Sequence, residues 1–175
     1  MTIPSSVRGS ALLFVAVMVQ AVMVPPYLLS GGAPDVLLLV IVSLGLLRGS
    51  VAGAAYGFAG GLLFDLLTLQ TLGVTSLVLT LAGFWAGRYT ETTGRGKRLA
   101  PVVAAAVITI LAAVFAFLLH YLLGEDVVAR HVLVSVLVPT LVANVVLAFP
   151  VYVLVRAAVH ERQTPAPAQK VEVFV

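Results

Sequence analysis

Six apolar stretches follow one another along this chain, each cut off by charges or by a cluster of proline and glycine. They run roughly from Ser10 to Leu29, Pro34 to Leu47, Val51 to Leu69, Leu72 to Gly87, Pro101 to Leu123 and His131 to Val155. With 61% hydrophobic and 10% charged residues, a 175-residue globule has too little polar surface to face water. The mean hydropathy of +1.15 says the same. The expectation is an all-α, polytopic membrane protein with six transmembrane helices. The apolar run from Ala11 to Val24 behind Arg8 has the look of a signal peptide. No small-x-small cleavage site follows it, and Pro25-Pro26 comes next, so an uncleaved first span is expected.

The second stretch tests the six-span reading. Its 14 residues reach only about 21 Å, against a hydrocarbon core of about 30 Å. Charge placement argues for keeping it as a span. With the N-terminus in the cytoplasm, Arg8, Arg48, Arg88, Arg95, Lys97, Arg98, Arg156, Arg162 and Lys170 all fall inside, and of the 10 basic residues only Arg130 falls outside. A re-entrant second segment destroys that partition. It is therefore expected as a short span, with Arg48 snorkelling at one end, Asp35 in the head-group zone and the bilayer locally thinned. The basic loop RYTETTGRGKRLAP reads as an orientation signal against anionic membrane lipids. Residues 1–160 form one transmembrane domain on this reading, and 161–175, rich in proline and alanine, a cytoplasmic flexible tail. Net charge +3 is no argument for nucleic acid, and the absence of cysteine excludes disulfides and thiolate metal sites.

Within this frame, VAGAAYGFAGGLLFDLL stands out. Gly53, Gly57 and Gly61 recur every fourth residue and Asp65 takes the next step, so the four share one stripe of a helix. In lipid, helices associate through close backbone approach at small residues. Gly83 and Gly87 give span four a matching face, expected at the depth of Gly53 and Gly57, while Gly60 lies off the stripe. Intramembrane carboxylates are functional candidates by default. Asp35 also reads as a helix start beside Pro34, favourable at the N-terminal dipole. Asp65 sits near a helix C-terminus, where a negative charge is disfavoured. It is expected to be hydrogen-bonded to a partner, capped by backbone donors of the TLQTLG loop, or protonated.

Gln20 and Asn144 are mid-membrane amides, most simply interhelical glue. Pro139 argues for a kink in span six by freeing the carbonyl of Ser135. His120, Glu125, Asp126 and His131 can be drawn together as a metal or acid-base site, but their spacing matches no ligand motif, and a solvated loop is the simpler account. No catalytic, cofactor or metal motif is found.

Taken together, Ala33-Pro34-Asp35, then Gly57-Phe58-Ala59-Gly60-Gly61-Leu62-Leu63-Phe64-Asp65-Leu66-Leu67, then Leu72-Gly73, then Gly83 to Gly87-Arg88, resemble the rod shape-determining MreD family. The specific motifs lie between Ala33 and Arg88. The resemblance implies a non-enzymatic, multi-pass subunit of the bacterial inner membrane, part of the elongation machinery that scaffolds peptidoglycan synthesis. Such a subunit binds MreC and, through it, connects with MreB, RodA and a penicillin-binding transpeptidase. Pro34, Asp35, Gly57, Gly61, Asp65 and Gly73 are the positions that carry the likeness. The family is similar in fold to the S-components of energy-coupling-factor vitamin transporters, which supplies the alternative function of substrate binding. An S-component would dock through an alanine stripe on span one, whereas Ala11, Ala16 and Ala21 here are spaced by five and rotate around the helix. A third reading, an intramembrane enzyme using Asp35 and Asp65, ranks last.

Overall fold

The computed structural model describes residues 5–23, 33–69, 71–93, 100–124 and 137–159. Every regular element among them is helical: α1 (Ser5–Met23), α2 (Val36–Arg48), α3 (Ser50–Thr68), α4 (Val74–Thr93), α5 (Ala100–Leu122) and α6 (Val138–Val159). Three of these, α3, α5 and α6, are long and apolar enough to cross a membrane. The apolar part of α1, Val7–Val22, and the whole of α2 are shorter.

The 13 residues of α2, VLLLVIVSLGLLR, carry apolar side chains all the way round. Such a helix belongs inside other helices. Every residue from Leu37 to Leu46 is buried, and α2 touches all five other helices. Those five close a ring around it in the order α1, α3, α4, α5, α6, with α6 returning to α1. This enclosure changes the account of the short second segment. At about 20 Å, α2 does not have to meet the full lipid thickness, because protein surrounds it and supplies partners for its ends. Arg48, expected to snorkel, hydrogen-bonds the Tyr56 hydroxyl and lies 5.5 Å from the centre of its ring.

Between α2 and α3 stands a single residue, Gly49, at φ +95°, a backbone state that glycine adopts without strain. The chain folds back there, so Gly45 and Gly53, four residues to either side, come into contact. Helix α4 runs to Thr93, six residues beyond the expected end at Gly87. Pro139 is the second residue of α6, and Ser135, whose carbonyl it was expected to free, lies outside the described residues. The proline that interrupts the helix interior is Pro150. Of the loop cluster, only His120 is described. Glu125, Asp126 and His131 lie outside, as do Arg95, Lys97, Arg98, Arg130, Arg162, Lys170 and the 161–175 tail.

Candidate functional site

The glycine stripe of α3 lies against α4 along its whole length. A Cβ added at Gly53 meets the carbonyl oxygen of Gly83, one at Gly57 meets the backbone of Leu79 and Thr80, and one at Gly61 meets Ser76 and Thr75. From the other side, Gly83 faces the carbonyl of Gly53, and Gly87 faces Gly49 and Ser50. The register is thus shifted from the expected pairing: Gly83 sits at Gly53, Gly87 a turn further out, and Gly57 rests on leucine backbone. Gly45 of α2 joins this contact, its added Cβ 2.6 Å from the Gly83 carbonyl oxygen. Three glycines from three helices meet at one point. Gly60, off the stripe, accommodates Leu13 of α1 and Leu37 of α2.

Polar side chains are spent on helix termini, where the first N–H groups have no partner within the helix. The α2 N-terminus receives three. Asp35 accepts from Leu38 N at 2.9 Å, Gln20 of α1 accepts from Val36 N at 2.8 Å, and Asn144 of α6 accepts from Asp35 N at 2.8 Å. The Asn144 amide also donates to Thr109 of α5 at 3.1 Å, so four helices are tied at this spot. Both Asn144 and Thr109 are buried.

Asp65 is completely buried and caps a helix other than its own. Its Oδ2 accepts from Gly73 N at 2.8 Å and from Ser76 N at 3.5 Å, at the start of α4, while Oδ1 has no partner among the described residues. Ser76 turns its hydroxyl to the Phe58 carbonyl at 3.0 Å, a second tie between the two helices. The turn between them is held open by two left-handed residues, Leu69 at φ +54° and Gly73 at φ +95°. Leucine adopts that conformation only at a cost, and Leu69 is 92% exposed with no packing in return. Leu66 and Leu67 in the last turn of α3, and Leu72 beyond it, are at least half exposed.

At the opposite end of the pair the arrangement is reversed. Glu91 of α4 accepts from Ser50 N at 2.8 Å and from its hydroxyl at 2.9 Å, capping the start of α3. These bonds from Ser50 hold the Glu91 carboxyl below its ordinary range, with a smaller contribution from Arg88 3.4 Å away. Each helix of the α3–α4 pair therefore places a carboxylate on the N-terminus of the other.

The sequence reasoning missed Gly45, Ser50, Ser76, Glu91 and Thr109. A signal for the first existed: the four-residue glycine step of α3 continues backwards through Gly49 to Gly45. Asp35 and Asp65, considered together as a carboxylate pair, share no hydrogen-bond partner among the described residues. No group of three or more metal-ligating side chains occurs among the described residues.

Neither the curated proteins nor the solved structures yield a match to this chain. A family model does match, over residues 6–160, which takes in all six helices except the first residue of α1. The chain belongs to the family described as rod shape-determining protein MreD.

Proposed function

We propose that this protein is a non-enzymatic scaffold of the bacterial elongation machinery, set in the inner membrane with six spans and both termini cytoplasmic. On this reading it binds MreC and through it is connected with RodA, a penicillin-binding transpeptidase and MreB. Residues 1–160 form the single transmembrane domain, with a fold of the S-component kind, and 161–175 a cytoplasmic tail. The observation that carries the proposal is the family match over residues 6–160. Two features of the geometry support it. The polar residues Gln20, Asp35, Asp65 and Asn144 all satisfy helix termini, which is the work of a rigid framework. The α3–α4 turn, fixed by Asp65, presents Leu66, Leu67, Leu69 and Leu72 outward as an apolar docking rim. The transporter alternative has no such support: of the three alanines in span one, Ala11 is exposed and Ala16 buried, so they form no single outward stripe.

Affinity purification in mild detergent tests the class. Recovery of MreC and the synthase is expected, and recovery of ATPase subunits in their place overturns the reading. Topology is tested in the same cells with single cysteines at Thr93 and Gly124. Only the Gly124 cysteine is expected to react with an impermeant thiol reagent added outside, and the reverse pattern defeats the orientation.

A further inference from the structure

Val78, Leu81 and Trp85 of α4 stand opposite Ile108, Leu111 and Phe115 of α5, and the two rows bound an apolar groove of about 240 Å³. Its floor is small, with Ala82 from one helix and Ala112 from the other. Positions 78, 81, 85 and 88 advance by three or four, so the next side chain on the α4 row is Arg88. The groove is thus apolar along its length and cationic at one end. Trp85, 57% exposed, sits one turn before that end, where an indole suits the boundary between hydrocarbon and head groups.

We infer that this groove seats one acyl chain of an anionic phospholipid, with the lipid phosphate on Arg88. Shape and charge select this occupant. A single alkyl chain is thin, flexible and apolar, and it matches a lining without polar side chains until the Trp85 indole. One turn beyond Trp85, the Arg88 side chain is 53% exposed and among the described residues forms a surface ion pair with Glu91, the kind that gives way readily to a stronger anion. Glu91 itself is held by Ser50 through its other carboxylate oxygen. The guanidinium fork is suited to phosphate oxygens.

Trp85 is the only tryptophan in the chain, so its fluorescence reports on this groove alone. The full-length protein in phosphatidylcholine vesicles is titrated with dibrominated phosphatidylglycerol or, separately, dibrominated phosphatidylcholine, since bromine quenches indole on contact. Half-quenching by the phosphatidylglycerol is expected at about a fivefold lower mole fraction, the size of effect attached to one basic residue at an anionic surface. Arg88→Gln, a substitution on an exposed side chain, should abolish the preference while leaving quenching by both lipids. Ala112→Leu narrows the floor and should weaken quenching by both. Equal quenching by the two lipids in the unsubstituted protein means only non-specific boundary lipid and overturns the inference. A preference that survives Arg88→Gln places the head group elsewhere and overturns it too. Failure of either lipid to quench Trp85 shows that protein, such as a second copy of the chain, covers the groove, and the lipid site is then wrong.

Discussion

Where α3 meets α4, backbone lies on backbone; where α5 meets α6, side chain lies on side chain. The first contact is made by Gly53, Gly57 and Gly61 against Gly83 and the peptide groups around Leu79 and Ser76, and by Gly87 against Gly49 and Ser50. The second is made by Val102, Ala105, Leu147, Ala148 and Val151, which also pack on Leu39 of the central helix. Both halves are apolar, yet apolarity alone gives helices in lipid little reason to associate. Close approach multiplies dispersion contacts and admits only one register, whereas branched side chains on α5 and α6 can repack. The carboxylates follow the same division. Asp65 and Glu91 cap each other's helices in the first half, while the second half is tied by the Asn144 amide and the Thr109 hydroxyl.

The largest effect that can break this contrast comes from a side chain on the glycine stripe. Gly57→Leu directs its Cβ at the backbone of Leu79 and Thr80, which has no rotamer to change. A cost of about 3 kcal/mol, the upper end of overpacking, is expected in thermal unfolding in detergent. Val146→Leu on α6, at a residue 68% exposed, should stay within about 0.5 kcal/mol. Equal tolerance of both changes means that the backbone contact does not hold the fold together.

A medium effect is expected from the buried polar ties, and here the two halves should behave alike. Asp65→Leu strands the N–H groups of Gly73 and Ser76, and Asn144→Leu strands Asp35 N–H and the Thr109 hydroxyl. Each should cost about 1–3 kcal/mol. Asp65→Asn keeps the accepting oxygen at the Oδ2 position and exchanges an unpartnered Oδ1 for an unpartnered amide, so it should cost less than Asp65→Leu, which also strands the two N–H groups. Rod-shape complementation at matched membrane levels is the second readout. Asn milder than Leu is expected; Asn as damaging as Leu points to a role for the charge itself, and the capping account of Asp65 fails.

How much of this was legible beforehand divides along the same line. The glycine stripe and its partner face were readable because a fixed step of four residues on an apolar helix has few other uses. The backbone donors facing Asp65 were readable because a carboxylate at a helix C-terminus needs compensation and the following loop is the nearest source. The shifted register was not, since it depends on Ser76 and Thr80, small residues that continue the α4 face without being glycine. The enclosure of α2 was not foreseen either. A short, uniformly apolar segment looks the same whether lipid or protein surrounds it, and only the ring of neighbours decides. Glu91 and Ser50 are 41 residues apart, and nothing local to either announces the pair.

The smallest effect concerns that pair, and it sharpens the comparison within the α3–α4 unit, between its buried end and its exposed end. Glu91 lies in the last turn of α4, with its side chain 37% exposed, so water and salt weaken whatever it contributes. Its direction with pH is nevertheless defined. Donation from the Ser50 N–H, then from the Ser50 hydroxyl, lowers the carboxyl from its ordinary 4.5, outweighing the cost of partial desolvation. A carboxyl whose folded pKa is depressed stabilises the fold above its unfolded pKa and loses that contribution as pH falls through the folded value. The contribution is therefore complete at neutral pH and begins to fade below about 4.5. Glu91→Gln keeps an acceptor for Ser50 but removes the charge. It should lower thermal stability slightly at neutral pH, and the gap from the unsubstituted protein should close as the buffer is taken down to about pH 3. Ser50→Ala, which removes one of the two donors and leaves the backbone N–H, should narrow the same gap without abolishing it. If the gap is independent of pH, the Glu91 charge does not cap α3, and reciprocal capping is confined to the buried end at Asp65.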